Sequence, residues 1–192
     1  MKFMLLLMAT AGSLAVAVPD SGESQPTKTV SMSVRPAPPP INGPVNVSAP
    51  GPHTPTRTLS SDFTITTETC LPPSDYGAAD LGDCAALCNF FEEEADATFT
   101  LDPLEILAWS SHNCVFEILN RDTCGTYTGN NGQIVTFCNA MLTECISRGE
   151  DGLINLEQPP LLMIMGGDES LPPYSPPPYT ADANCNDAHD EI

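Results

Sequence analysis

The cysteines are the residues whose type and spacing predict the most definite chemistry in this chain. No Cys-x2-Cys pair occurs and the three histidines lie far apart, so the spacing of a tetrahedral zinc site is absent. An even number of cysteines behind a secretory signal favours disulfides instead. We predict that all eight are oxidised and that the protein takes no metal or other cofactor. The eight are Cys70, Cys84, Cys88, Cys114, Cys124, Cys138, Cys145 and Cys185.

Helical spacing suggests how some cysteines pair. Cys84 and Cys88 lie one turn apart on a predicted helix, and Cys138 and Cys145 lie two turns apart on another. If the helices face each other, Cys88 reaches either Cys145 or Cys138. Cys84 reaches Cys114 on a central strand. Many other pairings are open to a chain with this many cysteines, so these pairs are hypotheses.

Few other residues are arranged for catalysis. Ser110-Ser111-His112 invites a nucleophile, but a hydrolase triad needs partners from separate elements. Asp102 and Glu105 could form an acid/base pair, although solvated surface carboxylates are far commoner. Asp182-x-Asn184-x-Asn186 begins like a calcium loop, but Asp187 stands where such a loop needs glycine. We therefore predict a protein without enzymatic activity.

Three consecutive glutamates lie where the electrostatics of a helix disfavours negative charge. Glu92, Glu93 and Glu94 lie at the C-terminal end of the first predicted helix, where the helix dipole disfavours anions by roughly 0.3–1 kcal/mol each. A local rule broken without compensation sometimes marks a functional site. One hypothesis is a docking patch for a basic surface on a partner protein. The alternative is a frayed, solvated helix end.

The N-terminus predicts secretion. Residues 1–17 have the parts of a signal peptide: Lys2, an apolar run, and the small-x-small pattern Ala15-Val16-Ala17. The apolar run is shorter than the roughly 20 residues that span a bilayer. We expect cleavage before Val18 and a secreted, extracellular protein that does not insert into membranes.

The charge excludes polyanionic partners. The chain has 25 Asp and Glu against 6 Lys and Arg, a formal net charge of −19. Such a polyanion repels phosphate backbones and anionic lipid, so we predict no binding to nucleic acid. The acidity either favours cationic partners or only keeps the protein dispersed. We expect a monomer.

Composition divides the chain behind the signal peptide into three segments. Residues 18–61 form a Pro/Ser/Thr-rich arm, predicted to be disordered because it has few large apolar residues. This arm contains a glycosylation acceptor at Asn46. Residues 62–157 form the cysteine-rich domain, and residues 158–192 form a Pro-rich acidic tail. The hydrophobic core of a domain of this size contributes only marginal stability, so disulfides must add to it.

The elements that must position these residues follow from periodicity. Residues 63–69 alternate as a strand, and a helix begins near Ala78. Residues 113–119 form the strongest strand, and a second helix ends at Arg148-Gly149. Together with short strands between the helices and at the end, the order is β-α-β-β-α-β. This order predicts an α+β fold, a two-layer sandwich with two helices on one antiparallel sheet.

Three short motifs within residues 62–157 carry a family resemblance. They are Asp83-Cys84-x-x-Leu87, then Leu107-Ala108-Trp109 followed by Asn113–Ile118, and Ile146-Ser147-Arg148 before a glycine-flanked strand. Together they resemble the fungal necrosis-inducing factor domain, a family of small secreted effectors of plant-associated fungi. The resemblance covers about half of the chain. It implies a two-layer α/β sandwich related to fungal killer toxins.

The resemblance and the secretion signal together predict a function. They imply a fungal effector that acts in the host extracellular space, the apoplast if the host is a plant, by binding a host protein or receptor. The alternative is a non-catalytic cell-wall-associated or killer-toxin-like secreted protein. A wall binder usually displays several exposed aromatic rings, whereas Trp109 lies in an apolar run typical of a core.

Overall fold

The computed structural model describes residues 29–41, 56–60, 63–73, 78–167 and 175. Within these ranges the chain forms nine strands, two α-helices and one short 3-10 helix. In chain order they are β1 (Ser31–Pro36), β2 (Thr56–Thr58), β3 (Thr64–Leu71), α1 (Leu81–Glu93), β4 (Thr98–Leu101), β5 (Glu105–Ser110), β6 (Val115–Asn120), β7 (Thr126–Asn130), α2 (Asn131–Glu144), the 3-10 helix (Ile146–Arg148), β8 (Asp151–Gln158) and β9 (Leu161–Gly166).

The strands form two sheets. Six of them pair in the order β1-β5-β6-β9-β8-β3, and every neighbouring pair is antiparallel. In the second sheet β2 runs parallel and β4 antiparallel to the central β7. The predicted α+β class, with two helices, antiparallel sheet and disulfides, is confirmed. The predicted element order is wrong, because residues 62–157 alone contain β3-α1-β4-β5-β6-β7-α2-β8.

Local sequence explains where the helices begin and end. Asp80 caps α1, since its carboxylate accepts a hydrogen bond from the Asp83 N–H at 2.9 Å. Asn130 and Gln133 form a capping box at the start of α2, each side chain accepting from the other residue's backbone N–H. The 3-10 helix ends at Gly149, whose φ of 76° favours glycine. The second predicted helix is therefore two elements: α2 ends at Glu144, and the 3-10 helix that follows ends at the predicted glycine.

The main core lies between the helices and one face of the six-stranded sheet. Trp109 of β5 is 2% exposed and sits at its centre, as predicted from its apolar run. Its ring makes edge contacts with Phe91 of α1 and Phe99 of β4, at centroid distances of 5.2 and 5.6 Å. Leu101 and Tyr127 bring the three-stranded sheet into the same core. One continuous apolar interior therefore joins both sheets and both helices.

The opposite face of the six-stranded sheet, which we call the second face, carries a smaller apolar cluster. No helix of the described ranges contributes to this cluster, which comes from strands and the residues flanking them. Its buried members are Leu104, Ile106, Leu119, Leu162 and Ile164, each at most 9% exposed. The sheet is therefore apolar on both sides.

Both predicted boundaries of the domain are wrong. The segment 18–61, predicted to be disordered, contributes β1 and β2, and β1 pairs along its whole length with β5. The segment 158–192, predicted to be a tail, contributes β9. All six residues of β9 are buried, and it lies between β6 and β8. The folded unit therefore extends beyond residues 62–157 at both ends.

Candidate functional site at the acidic end of the first helix

The three glutamates predicted as a docking patch lie together on the surface. Glu92 and Glu93 are the last two residues of α1, and Glu94 is its C-cap. All three are exposed, as is Asp96 in the following turn. The last turn of α1 contains no basic residue. The four carboxylates form an anionic surface, which we call the acidic end.

In the folded structure, groups of α2 offset part of the repulsion among these charges. The acidic end lies beside the N-terminus of α2, because the Gly132 N–H donates to the Ala95 carbonyl at 2.9 Å. A helix N-terminus carries a positive partial charge and so offsets part of the repulsion among the carboxylates. The Asn139 Nδ2 of α2 also donates to the Glu92 Oε1 at 3.0 Å. Glu92 and the turn that follows α1 therefore contact α2.

Disulfides fix the helices that carry the acidic end. One bridge joins α1 to α2, a second joins α1 to the turn before β6, and a third joins β3 to the end of α2. These pairs are Cys88–Cys138, Cys84–Cys114 and Cys70–Cys145, with Cα–Cα distances of 5.6, 5.2 and 5.3 Å. The predicted Cys84–Cys114 pair and one of the two alternatives for Cys88 are confirmed. None of the cysteines in the described ranges is free.

Two of the motifs behind the resemblance meet at the other end of α1, through Asp83-Cys84 and Asn113-Cys114. The turn 111–114 joins β5 to β6, and there the Asn113 N–H donates to the Asp83 Oδ2 at 3.1 Å. The Cys84–Cys114 bridge lies one residue further along each segment. Asp83-Cys84 and Asn113-Cys114 therefore have a structural role, because they attach the start of α1 to the sheet.

The residues considered for nucleophilic chemistry do not assemble. Ser111 is fully buried, and its backbone pairs with the Cys114 backbone across the turn. The Ser110 Oγ is hydrogen-bonded to the Ser31 Oγ at 2.7 Å. His112 is a surface residue, with its side chain 62% exposed. These three neighbours form no serine–histidine pair.

The carboxylates considered for acid/base chemistry both stabilise the turn before β5. The Glu105 Oε2 accepts from the Asp102 N–H at 2.9 Å. The Asp102 Oδ1 accepts from the Thr126 Oγ1 at 3.0 Å. Both residues also line an open groove of about 300 Å³ against the end of β1. Their hydrogen bonds give each carboxylate a local structural role.

Sequence analysis missed a buried charge pair on the second face. Glu117, in the middle of β6, is fully buried and pairs with Arg35 of β1. A buried carboxylate stays charged only with a cationic or strongly hydrogen-bonding partner. The signal was present, since Glu117 is the one charged residue in the apolar stretch Val115–Leu119. It indicated that a cation had to reach this strand from elsewhere in the chain.

A buried amide organises the loop between β6 and β7. Asn120 is fully buried, and its Nδ2 donates to three backbone carbonyls of neighbouring loops. These carbonyls belong to Leu101, Asp102 and Gly125, at 3.3, 2.9 and 2.7 Å. The Oδ1 accepts from the Asp122 N–H at 2.9 Å. A single side chain thus joins the turn between β4 and β5 to the loop between β6 and β7.

We predict that Asn120→Asp destabilises the domain by about 3 kcal/mol or more. The shape of the side chain is kept, but its carboxylate cannot donate to the three carbonyls, and each buried unsatisfied group costs roughly 1–3 kcal/mol. The measurement is the urea midpoint at constant m-value. Asn89→Asp, at an exposed position of α1, is the matched control. Equal midpoints for the two variants would contradict the prediction.

The described ranges lack two kinds of feature, and several predicted features lie outside those ranges. Among the described residues, no group of three His, Cys, Asp or Glu side chains could hold a metal ion. Nor does that part of the chain contain a helix long and apolar enough to cross a membrane. The signal peptide 1–17, the acceptor Asn46, Cys185 and the calcium-like motif at 182–187 all lie outside the described residues.

A scan against protein-family models finds no match to this chain, and a search of curated proteins finds none either. The fold and the site together define a class: a disulfide-bridged α+β domain that presents four carboxylates at one end of a helix pair.

Proposed function

We propose that this protein is a small secreted effector of the necrosis-inducing-factor type, which binds an extracellular host protein or receptor without catalytic turnover. The observation that carries the proposal is the acidic end, four exposed carboxylates on a helix pair bridged by Cys88–Cys138. Stable disulfides support an oxidising, extracellular setting. The predicted signal peptide also indicates an extracellular protein.

The physical argument for binding is preorganisation. A charged surface on a rigid base loses little conformational entropy when a partner docks on it. Its field also accelerates encounter with a cationic surface and repels acidic ones. The partner that fits is therefore a protein with an exposed basic patch. Nucleic acid and anionic lipid do not fit this surface.

A carbohydrate-binding wall protein is the second candidate for the function. Such a protein stacks sugars on exposed aromatic rings. Trp109 and Tyr127 are only 2% and 3% exposed, so neither ring is available for stacking. The buried positions of these rings support the effector over the wall protein.

We predict that replacing Glu92, Glu93 and Glu94 by Gln weakens the cell-death response to purified protein in leaf tissue. The variant should need a severalfold higher concentration than the wild type to give the same response. Its response should also depend less on salt, because the attraction between the three carboxylates and a basic surface, which salt screens, has been removed. The control variant carries the same charge change at three exposed glutamates elsewhere. These are Glu68, Glu144 and Glu157.

The outcomes separate the candidates. Circular dichroism first establishes that both triple variants are folded. Equal loss of response in both variants would assign the effect to net charge and contradict a docking site. No response to the wild type in any susceptible host would contradict the effector. Capture on insoluble glycan would then favour the wall protein, and killing of a competing fungus would favour a killer-toxin-like action.

A further inference from the structure

The disulfide between Cys70 of β3 and Cys145 at the end of α2 differs from the other two described bridges in its access to solvent. Cys70 is half-buried, whereas every other cysteine in the described ranges is buried. We propose that this bridge is a modification site, at which a small thiol that carries a carboxylate forms a mixed disulfide with Cys70 and releases Cys145 as a thiol. The reaction is independent of the proposed host receptor.

A cation borders this bridge. The Arg148 Nη2 donates to the Cys70 Sγ at 3.1 Å, and the Arg148 side chain is 59% exposed. Because the two sulfurs are bonded to each other, the same guanidinium also lies beside the Cys145 Sγ. A positive charge next to a sulfur stabilises its thiolate. Arg148 therefore attracts an incoming thiolate and stabilises the thiolate that leaves.

The charges around Arg148 indicate the class of thiol that fits. Its Nε faces the Glu150 Oε2 at 3.5 Å, and the Glu144 carbonyl oxygen lies 3.5 Å from the Cys70 Sγ. A guanidinium has further N–H donors, which can hold a carboxylate of the incoming molecule while its sulfur reacts. The chain as a whole, with a formal net charge of −19, repels such an anion. Arg148 thus supplies the local attraction that an acidic thiol needs.

The other two described bridges are protected from the same attack. Their four cysteines belong to the main apolar core, whereas Cys70 and Cys145 belong to neither apolar cluster. A thiolate is disfavoured in apolar surroundings, and a nucleophile enters the core only when the core opens. A thiol therefore reacts first at Cys70 among the three described bridges. The four core cysteines are Cys84, Cys88, Cys114 and Cys138.

The exchange keeps the number of disulfide bonds constant. The incoming thiol first loses its proton to water. Its thiolate attacks the Cys70 Sγ, a new S–S bond forms, and the electron pair of the old bond leaves with the Cys145 Sγ. Water then returns a proton to this sulfur. The sulfur of the small thiol is oxidised and that of Cys145 is reduced, so no other oxidant or reductant is needed.

The modification separates β3 from α2 and leaves the helix pair joined. β3 is an edge strand of the six-stranded sheet, and its first six residues are exposed. After the exchange it keeps its antiparallel pairing with β8, and the Cys88–Cys138 bridge still joins α1 to α2. The adduct therefore loosens β3 while the acidic end keeps its structure.

Short incubation of the folded, mature protein with glutathione, an acidic tripeptide thiol, tests the site. The reaction is quenched with acid, free thiols are alkylated in denaturant at low pH, and the modified cysteines are located by peptide mass mapping. We expect one glutathione on Cys70 and one alkyl group on Cys145 before any of the four core cysteines is alkylated. An adduct on Cys145, earlier alkylation of a core cysteine, or no adduct before the domain unfolds overturns the proposal.

The rate of adduct formation tests the role of Arg148. Arg148→Gln should slow the reaction with glutathione severalfold, but should not slow the reaction with cysteamine, a cationic thiol. Arg148→Lys keeps the charge and should restore most of the glutathione rate. Arg57→Gln, which removes a cation from the three-stranded sheet, is the matched control and should change neither rate. If Arg57→Gln slows the glutathione reaction as much as Arg148→Gln does, net charge explains the rate and the assignment to Arg148 is wrong.

Discussion

Reduction of the disulfides is expected to unfold the domain at physiological temperature. The three described bridges span 75, 30 and 50 residues. In the chain-entropy model, each disulfide that closes a loop of this length destabilises the unfolded chain by about 4 kcal/mol. A domain of this size has a total stability of only about 5–15 kcal/mol. Loss of all three bridges therefore removes most or all of the free energy of unfolding.

The measurement is far-UV circular dichroism with limited proteolysis, before and after strong reductant. Alkylation without prior reduction is the control and should add no mass, because none of the described cysteines is free. The reduced protein should also be inactive in the leaf assay. A domain that keeps its spectrum and its protease resistance in reductant would show that the core alone suffices.

A chain that ends at residue 157 is expected not to fold. Such a chain lacks β9, which lies between β6 and β8 in the sheet. Its absence separates β1-β5-β6 from β8-β3 and removes five buried side chains, each of which stabilises by roughly 1.5–3 kcal/mol. These are Leu161, Leu162, Met163, Ile164 and Met165. The segment beyond residue 157 therefore cannot be removed as a dispensable tail.

The comparison that tests this is residues 18–157 against residues 18–167. Both chains lack residues 168–192, so any effect of removing that segment is the same in the two. We expect cooperative urea unfolding for the longer chain and none for the shorter one. Cooperative unfolding of both would mean that β6 and β8 close the sheet directly and would contradict the prediction.

Sequence analysis found those parts of the fold that local rules decide. The helical segment stops at Gly149, because its backbone angle suits glycine. Trp109 is central because its neighbours along the chain are apolar. The Cys84–Cys114 pair, one hypothesis among many pairings, joins two cysteines that are both buried. Each of these depends on a few consecutive residues or on one periodic face.

The missed strands depend on partners far away in sequence. In β1 the apolar Met32 and Val34 are 61% and 53% exposed, while Arg35 reaches Glu117, a residue 82 positions further along the chain. The proline-rich residues around β1 predicted disorder. Composition is an average over the whole segment, so it carries no information about the pairing of β1 with β5. For β9 a local signal did exist, because residues 161–165 are an apolar run between prolines and glycines, typical of a buried strand.

The acidic end shows the same division between sequence and tertiary structure. The sequence alone determined that Glu92, Glu93 and Glu94 follow one another where a helix ends, because helix periodicity and charge are local properties. Only the tertiary structure brought the N-terminus of α2 beside them, through the contact between Gly132 and Ala95. Electrostatic energy depends on distance in space, so the surroundings of these charges are decided by packing and not by order along the chain.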